Sequence, residues 1–199
     1  MLNATLVIEN KEKSSSFDMK LESLVPVVKG EISVKAHVHR ADDIFTAIRI
    51  AKEFGLKMTL EHCTEGHLIA DELAREGFSA IVGPSIGPRG KVELKELTFE
   101  TPAALHKAGV KIALITDHPV VPVYYLPFCA ALAVRAGLDE ETALKAITIN
   151  PAEILGVSDR VGSLEVNKDA DIVVFDKHPF DIQAKTTWVL IDGDVVFKR

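Results

Sequence analysis

The sequence predicts an α/β fold of consecutive parallel βα units, and three observations predict it. Short apolar runs alternate with amphipathic stretches of helical period. Gly55, Gly77 and Gly109 stand where those stretches end. Three of the runs finish on a polar residue that can bind metal: 32–36 lead into His37, 58–61 into His62 and 112–116 into Asp117. Parallel strands carry function at their C-terminal ends, where loops vary while the strands hold geometry. His37 to His62 is one strand–helix unit, and His62 to Asp117 leaves room for two, at about 30 residues per unit. At 199 residues and 47% hydrophobic, the chain can bury one core. It is short of the ~250 residues of a complete (β/α)8 barrel.

Each element follows from local pattern. Residues 2–8 have the composition of a strand, 11–16 (KEKSSS) are polar and loop-like, and 21–28 form a short apolar helix around Pro26. Residues 33–38 read as a strand. Residues 41–54 read as a helix, with Ile44, Ile48, Ala51 and Phe54 on one face and Asp42 and Asp43 in the first turn. The cycle repeats as strand 57–62, helix 66–76 and strand 79–83. A loop rich in Gly and Pro over 83–90 leads to a helix at 100–108 and strand 111–116. Strand–helix alternation of this kind implies parallel strands and right-handed crossovers. After Asp117 the pattern changes to helices at 124–136, 139–148 and 151–156. Strands at 170–176, 186–191 and 194–198 follow, the last two joined by the two-residue hairpin signal Asp192-Gly193. The expected organisation is an N-terminal segment at 1–30, a βα region at 31–160 and a small β element at 161–199.

Composition excludes several classes of function. A net charge of −6 argues against a nucleic-acid or anionic-membrane surface. No apolar run approaches the ~20 residues of a membrane span. The opening Met1-Leu2-Asn3 lacks the basic stretch and apolar core of a signal peptide. Two cysteines, Cys63 and Cys129, are too few for a disulfide framework, so a cytoplasmic location is expected.

Two imidazoles and a carboxylate at strand ends suit a hydrolytic metal centre. A single strand-end histidine is more often a hydrogen-bonded structural residue than a ligand, so the argument rests on three such ends together. His37 and His39, two apart, face the same side of a strand. His37, nearer the regular strand, is the expected ligand, and His39 the expected substrate contact. His118, just past Asp117, is a second candidate for substrate. Cys63 should point away from His62 and pack against a helix. His67, His106 and His178 read as surface or capping residues. The loop 83–90 is not a phosphate loop, because Lys91 is followed by Val92 rather than Ser or Thr. The acidic run 139–141 opens a helix.

Five stretches together resemble the amidohydrolase superfamily, in its imidazolonepropionase-like branch. They are HVHRADD from His37, EHCTEGH from Glu61, TDHP from Thr116, AITINPAEILG from Ala146 and VGSLEVNKDADIVV from Val161. The likeness covers about residues 20–199. Asn167 stands where the family has Gly.

The resemblance implies part of a TIM-type (β/α)8 barrel, about strands five to eight, with C-terminal strands of the family's β-sandwich. It implies His37, His62 and Asp117 as metal ligands, zinc being the expected divalent ion. It also implies Asp117 as the catalytic proton acceptor, in hydrolysis of amide or cyclic C–N bonds of a small molecule. The family's first-strand His-x-His pair is missing, so the chain reads as truncated. Three readings follow. Hydrolysis requires a partner polypeptide carrying the N-terminal half, or two half-barrels pair as a homodimer, or the chain is a non-catalytic relic that binds metal or small molecules.

Overall fold

The computed structural model describes residues 18–199. The expected strand at 2–8 and the polar stretch 11–16 lie outside them. Two short helices, α1 (Met19–Glu22) and α2 (Val25–Val28), lead in. The Asp18 carboxylate caps α1 by accepting from the backbone N–H groups of Lys20 and Leu21. Strand and helix then alternate: β1 (Val34–Val38), α3 (Ala41–Phe54), β2 (Met58–His62), α4 (Ala70–Glu76), β3 (Ser79–Val82), α5 (Thr101–Ala108) and β4 (Ile112–Leu114). Helices α6 (Leu126–Arg135), α7 (Glu140–Ala146) and α8 (Ile149–Leu155) follow, and β5 (Ile172–Phe175), β6 (Thr186–Ile191) and β7 (Asp194–Lys198) close the chain.

Strands β1 to β4 form one parallel sheet in chain order, and β5 to β7 form a separate antiparallel sheet. Sequential parallel order with helical crossovers is the wall of a TIM-type barrel, and four strands make part of one. Asp192 and Gly193, at φ 51° and 85°, both adopt the left-handed conformation required by a tight two-residue hairpin. Asn167 is left-handed too, at φ 74°, which Asn tolerates better than most side chains where glycine would be usual.

Several elements differ from expectation: the helix expected at 21–28 is the pair α1 and α2, and the one expected at 124–136 opens with the 3-10 turn Val123–Tyr125 before α6. The helix expected at 66–76 begins with a 3-10 turn, Gly66–Ile69, before α4. The strand expected at 111–116 pairs only over Ile112–Leu114, so Thr116 and Asp117 have already left the sheet.

Register explains the core. Ala36, Leu60, Ala80 and Ile112 are neighbours across the sheet, as are Val38, Val82 and Leu114 further along. Strand alternation puts these residues on one face, where all but the half-buried Ala36, which packs against them, belong to the buried apolar core. Helices α3, α4 and α5 cover that face with Ile44, Ile48, Leu73 and Leu105. Leu60, Ile44 and Leu105 are completely buried, so truncating any one to Ala would cost about 2–5 kcal/mol. The opposite face carries Lys35, His37, Thr59 and Glu61. There Glu61 accepts a hydrogen bond from the Thr59 hydroxyl at 2.6 Å and pairs with Lys35 at 3.5 Å. The start of β4 is held by Asn150, whose Nδ2 donates to the Ile112 carbonyl at 2.8 Å.

Candidate metal centre

His37 and His39 leave β1 on its polar face. His62 would not join them by register alone. It pairs with Val38 and Val82, both on the helix-covered face. The backbone departs from the strand there: His62 sits at φ 73° and Cys63 at φ 47°. Left-handed conformations at two consecutive non-glycine residues are costly, and persist where surrounding structure holds them. With that turn, the His62 ring lies 4.4 Å from the His37 ring and 4.6 Å from the His39 ring, centroid to centroid. One ring nitrogen from each histidine lies within 4.8 Å of the others.

The segment after β2 is locked to the segment after β1. The Cys63 N–H donates to the Val38 carbonyl at 3.0 Å, and the Glu65 N–H to the His39 carbonyl at 2.8 Å. The buried Glu65 carboxylate accepts from the Ala41 N–H at 2.9 Å, satisfying a free donor at the start of α3. Cys63 is fully buried, and burial followed by the nearby Glu61 carboxylate pushes its thiol up to about 12. It packs into the core and is inert.

Two of the rings are oriented from behind. His62 Nδ1 lies 2.6 Å from the Gly83 carbonyl oxygen. A carbonyl only accepts, so Nδ1 carries the hydrogen and Nε2 keeps its lone pair. His39 Nδ1 lies 2.7 Å from the Thr64 hydroxyl, and His39 Nε2 lies 3.1 Å from His37 Nε2. His39 is buried, and its basicity falls to about 4. Burial is the main cause and the neighbouring His62 the next, with Glu93 pulling the other way. A neutral imidazole with an anchored outer nitrogen is the form that binds metal.

The structure brings together His37 and His62, expected as ligands, with His39, expected as a substrate contact. Among the described residues, the group placed to share a cation comprises these three, and Asp117 is not in it. Asp117 is exposed just past β4 at φ 50°, with His118 exposed beside it. His67 bonds the Thr101 hydroxyl at 3.0 Å and His106 the Thr142 hydroxyl at 3.3 Å, away from the cluster. Three neighbours of the site were not singled out by sequence: Thr64, Gly83 and Glu93. Thr64 follows His62 by two, so its proximity had a signal. Glu93 comes from the long loop between β3 and α5, and its spacing carried none.

Comparisons with known proteins place the chain in a family. Residues 27–198 match the amidohydrolase family. The crystal structure of an amidohydrolase from Thermotoga maritima MSB8 superposes with a TM-score of 0.94 at 45% identity, over all of this chain and 54% of that one. Amidohydrolase tasK of Hapsidospora irregularis is 28% identical over 90% of this chain and 19% of its own length. An imidazolonepropionase of Streptococcus pyogenes is 29% identical over 82% of this chain and 46% of its own length. The chain thus spans less than half of either of these two curated relatives.

Proposed function

Because this chain belongs to the amidohydrolase family, we propose that it is the ligand-bearing part of a metal-dependent hydrolase of amide or cyclic C–N bonds. The observation that carries this reading is the convergence of His37, His39 and His62 at the strand ends. The donor set fits a divalent ion such as zinc: neutral imidazoles, two of them held by a partner on the outer nitrogen. Such an ion would supply a water of lowered pKa and polarise the scissile carbonyl. His37, His39 and His62 would hold it. The Asp117 carboxylate, just past the end of β4, two strands from β2 in the sheet, would accept the proton from the attacking water and return it to the leaving nitrogen. It also remains a candidate ligand. His118 contacts the small-molecule substrate beside it.

Turnover needs the rest of a barrel around this face. In the described residues β1 and β4 are the outer strands of the parallel sheet, each with one unpaired edge. A complementary segment, in the same polypeptide or a separate one, covers them. A second reading follows from the same edges: two copies pair edge to edge as a homodimer, with or without catalysis. No helix in the described residues is long and apolar enough to cross a membrane. Free, buried Cys63 and Cys129 suit a reducing cytoplasm.

The test is metal content by elemental analysis together with solution mass. One equivalent of a divalent ion in the purified chain, lost in His62→Ala, supports the hydrolytic centre. A chain that takes up no divalent metal overturns it. A mass of twice the monomer supports the homodimer.

A further inference from the structure

We propose that Arg89, with the hydroxyls of Ser85 and Thr98, forms a subsite for a carboxylate, and that the substrate is a singly charged small amide held there by its carboxylate. The place of this subsite in hydrolysis rests on reading the three histidines as a metal centre. A cavity of about 270 Å³ opens in the loop between β3 and α5, lined by Ser85, Ile86, Arg89, Leu97, Thr98 and Phe99. The loop leaves from the histidine cluster. The Gly83 carbonyl oxygen lies 2.6 Å from His62 Nδ1, and Ser85 follows two residues on, a span of at most about 7 Å. Beyond Arg89 the loop returns to the cluster, with Glu93 Oε1 3.9 Å from His39 Nε2. Arg89 thus stands between two points at which its loop meets the candidate metal centre.

Charge and hydrogen bonding select a carboxylate. Lys91 pairs with Glu93 at 3.4 Å and Lys95 with Glu96 at 3.7 Å, whereas Arg89 has no carboxylate partner among the described residues. Arg89 Nη2 donates to the Leu97 carbonyl at 2.7 Å, which holds the guanidinium across the loop. That bond uses one of five N–H donors and leaves a two-nitrogen edge, the fork from which a carboxylate accepts two bonds at once. Thr98 Oγ1 accepts from the Glu100 N–H at 3.3 Å, so its own O–H remains to donate. Among the described residues lining the cavity, Arg89 alone is charged. One fixed cation balances a carboxylate and leaves a phosphate dianion half neutralised. Ile86 and Phe99 line the same space and suit the apolar part of such a ligand.

The experiment titrates N-benzoylglycine and its neutral isostere N-benzoylglycinamide into the metal-free full chain by calorimetry. The carboxylate should bind at least about tenfold more tightly than the amide, the weight of hydrogen bonds to a charged group. In Arg89→Gln that preference should vanish, while affinity for the amide and the circular dichroism stay those of the parent. Arg89→Lys keeps the charge and loses the fork, so it should fall between. Equal affinity for both ligands in the parent, or a preference that survives in Arg89→Gln, overturns the subsite. Inorganic phosphate bound as tightly as N-benzoylglycine marks a general anion site and overturns the carboxylate. The link to hydrolysis has its own readout. With Co(II) in the cluster, the proton resonances of bound N-benzoylglycine should broaden beyond their width in the Zn(II) chain, because a paramagnetic ion relaxes only protons near it. Equal widths overturn the subsite as part of the catalytic site. A chain that takes up neither ion overturns the metal-centre reading and the link with it, while the calorimetry still decides the carboxylate site.

Discussion

His62 Nδ1 and the Gly83 carbonyl oxygen are 2.6 Å apart, so a loop residue after β3 fixes the tautomer of a ring at the end of β2. Gly83 holds this position at φ 125°, and a Cβ built there would stand 2.5 Å from the Ile115 carbonyl oxygen. No side chain fits without moving the carbonyl that anchors His62. Gly83→Ala should therefore cost about 1–3 kcal/mol of stability. It should also weaken divalent-metal binding by about 10- to 100-fold, as loss of an anchoring partner does. Chemical denaturation and metal titration of the same preparation measure both. A destabilised variant with full metal affinity would show that the carbonyl does not orient the ring.

Thr64 does for His39 what Gly83 does for His62. Its hydroxyl is buried 2.7 Å from His39 Nδ1, and its own carbonyl accepts from the Thr101 hydroxyl at 3.5 Å. Thr64→Val keeps the volume and removes the partner. A buried ring nitrogen is then left unsatisfied, at a cost of about 1–3 kcal/mol. Metal affinity should drop about 10- to 100-fold, while Thr64→Ser should restore most of it. Equal affinity in Val and Ser variants would mean the hydroxyl is only a packing group.

The buried His39 also makes the metal-free chain sensitive to acid. Its folded-state pKa is about 4, against 6.5 for an unperturbed histidine. Between these values the unfolded chain takes up a proton that the folded chain refuses, so stability falls as pH falls. The contribution is whole above pH 6.5 and is lost progressively down to pH 4. From pH 7 to pH 5 the loss from this one group is about 2 kcal/mol. Denaturation in chelator at both pH values reads it, and His39→Gln should show a loss smaller by that amount. An identical loss in the variant would show that His39 titrates normally in the folded chain.

Much of the fold was legible because hydrophobic period and glycine caps act locally. Helix α3 begins and ends where Ile44, Ile48 and Ala51 require, and Gly55 closes it in the left-handed conformation. The hairpin was legible for the same reason, since Asp192-Gly193 specifies its turn without help from the rest of the chain. The site was legible to the level of strand ends and no further. Alternation alone would have turned His62 towards the helices. Only its φ of 73° brings it to His37 and His39, and nothing in the residue types signals that break. Glu93 was invisible because its position depends on the whole course of a loop from Gly83 to Glu100, held by contacts such as that of Arg89 with the Leu97 carbonyl. Asp117 was found by its place after an apolar run, yet β4 ends at Leu114, so the carboxylate leaves the sheet two residues earlier than the run implied.

That early departure separates the role of Asp117 from that of the histidines. It is exposed and stands outside the group of ring nitrogens, so metal affinity and turnover should respond differently to its loss. Asp117→Asn is a clean test, because Asn tolerates the left-handed φ of 50° as well as Asp does and keeps the shape of the side chain. Metal affinity should fall less than in His62→Ala. Hydrolysis by the chain with its complementary segment should fall by about 10²- to 10⁴-fold, the weight of a positioned proton acceptor. The split matters more than either number. Loss of metal equal to that in His62→Ala would make Asp117 chiefly a ligand, and the loop after β4 would then have to close onto the cluster when the ion binds. Retained metal with retained turnover would move the proton acceptor elsewhere, and Glu93, facing the same cluster from the loop after β3, would be the carboxylate to test next.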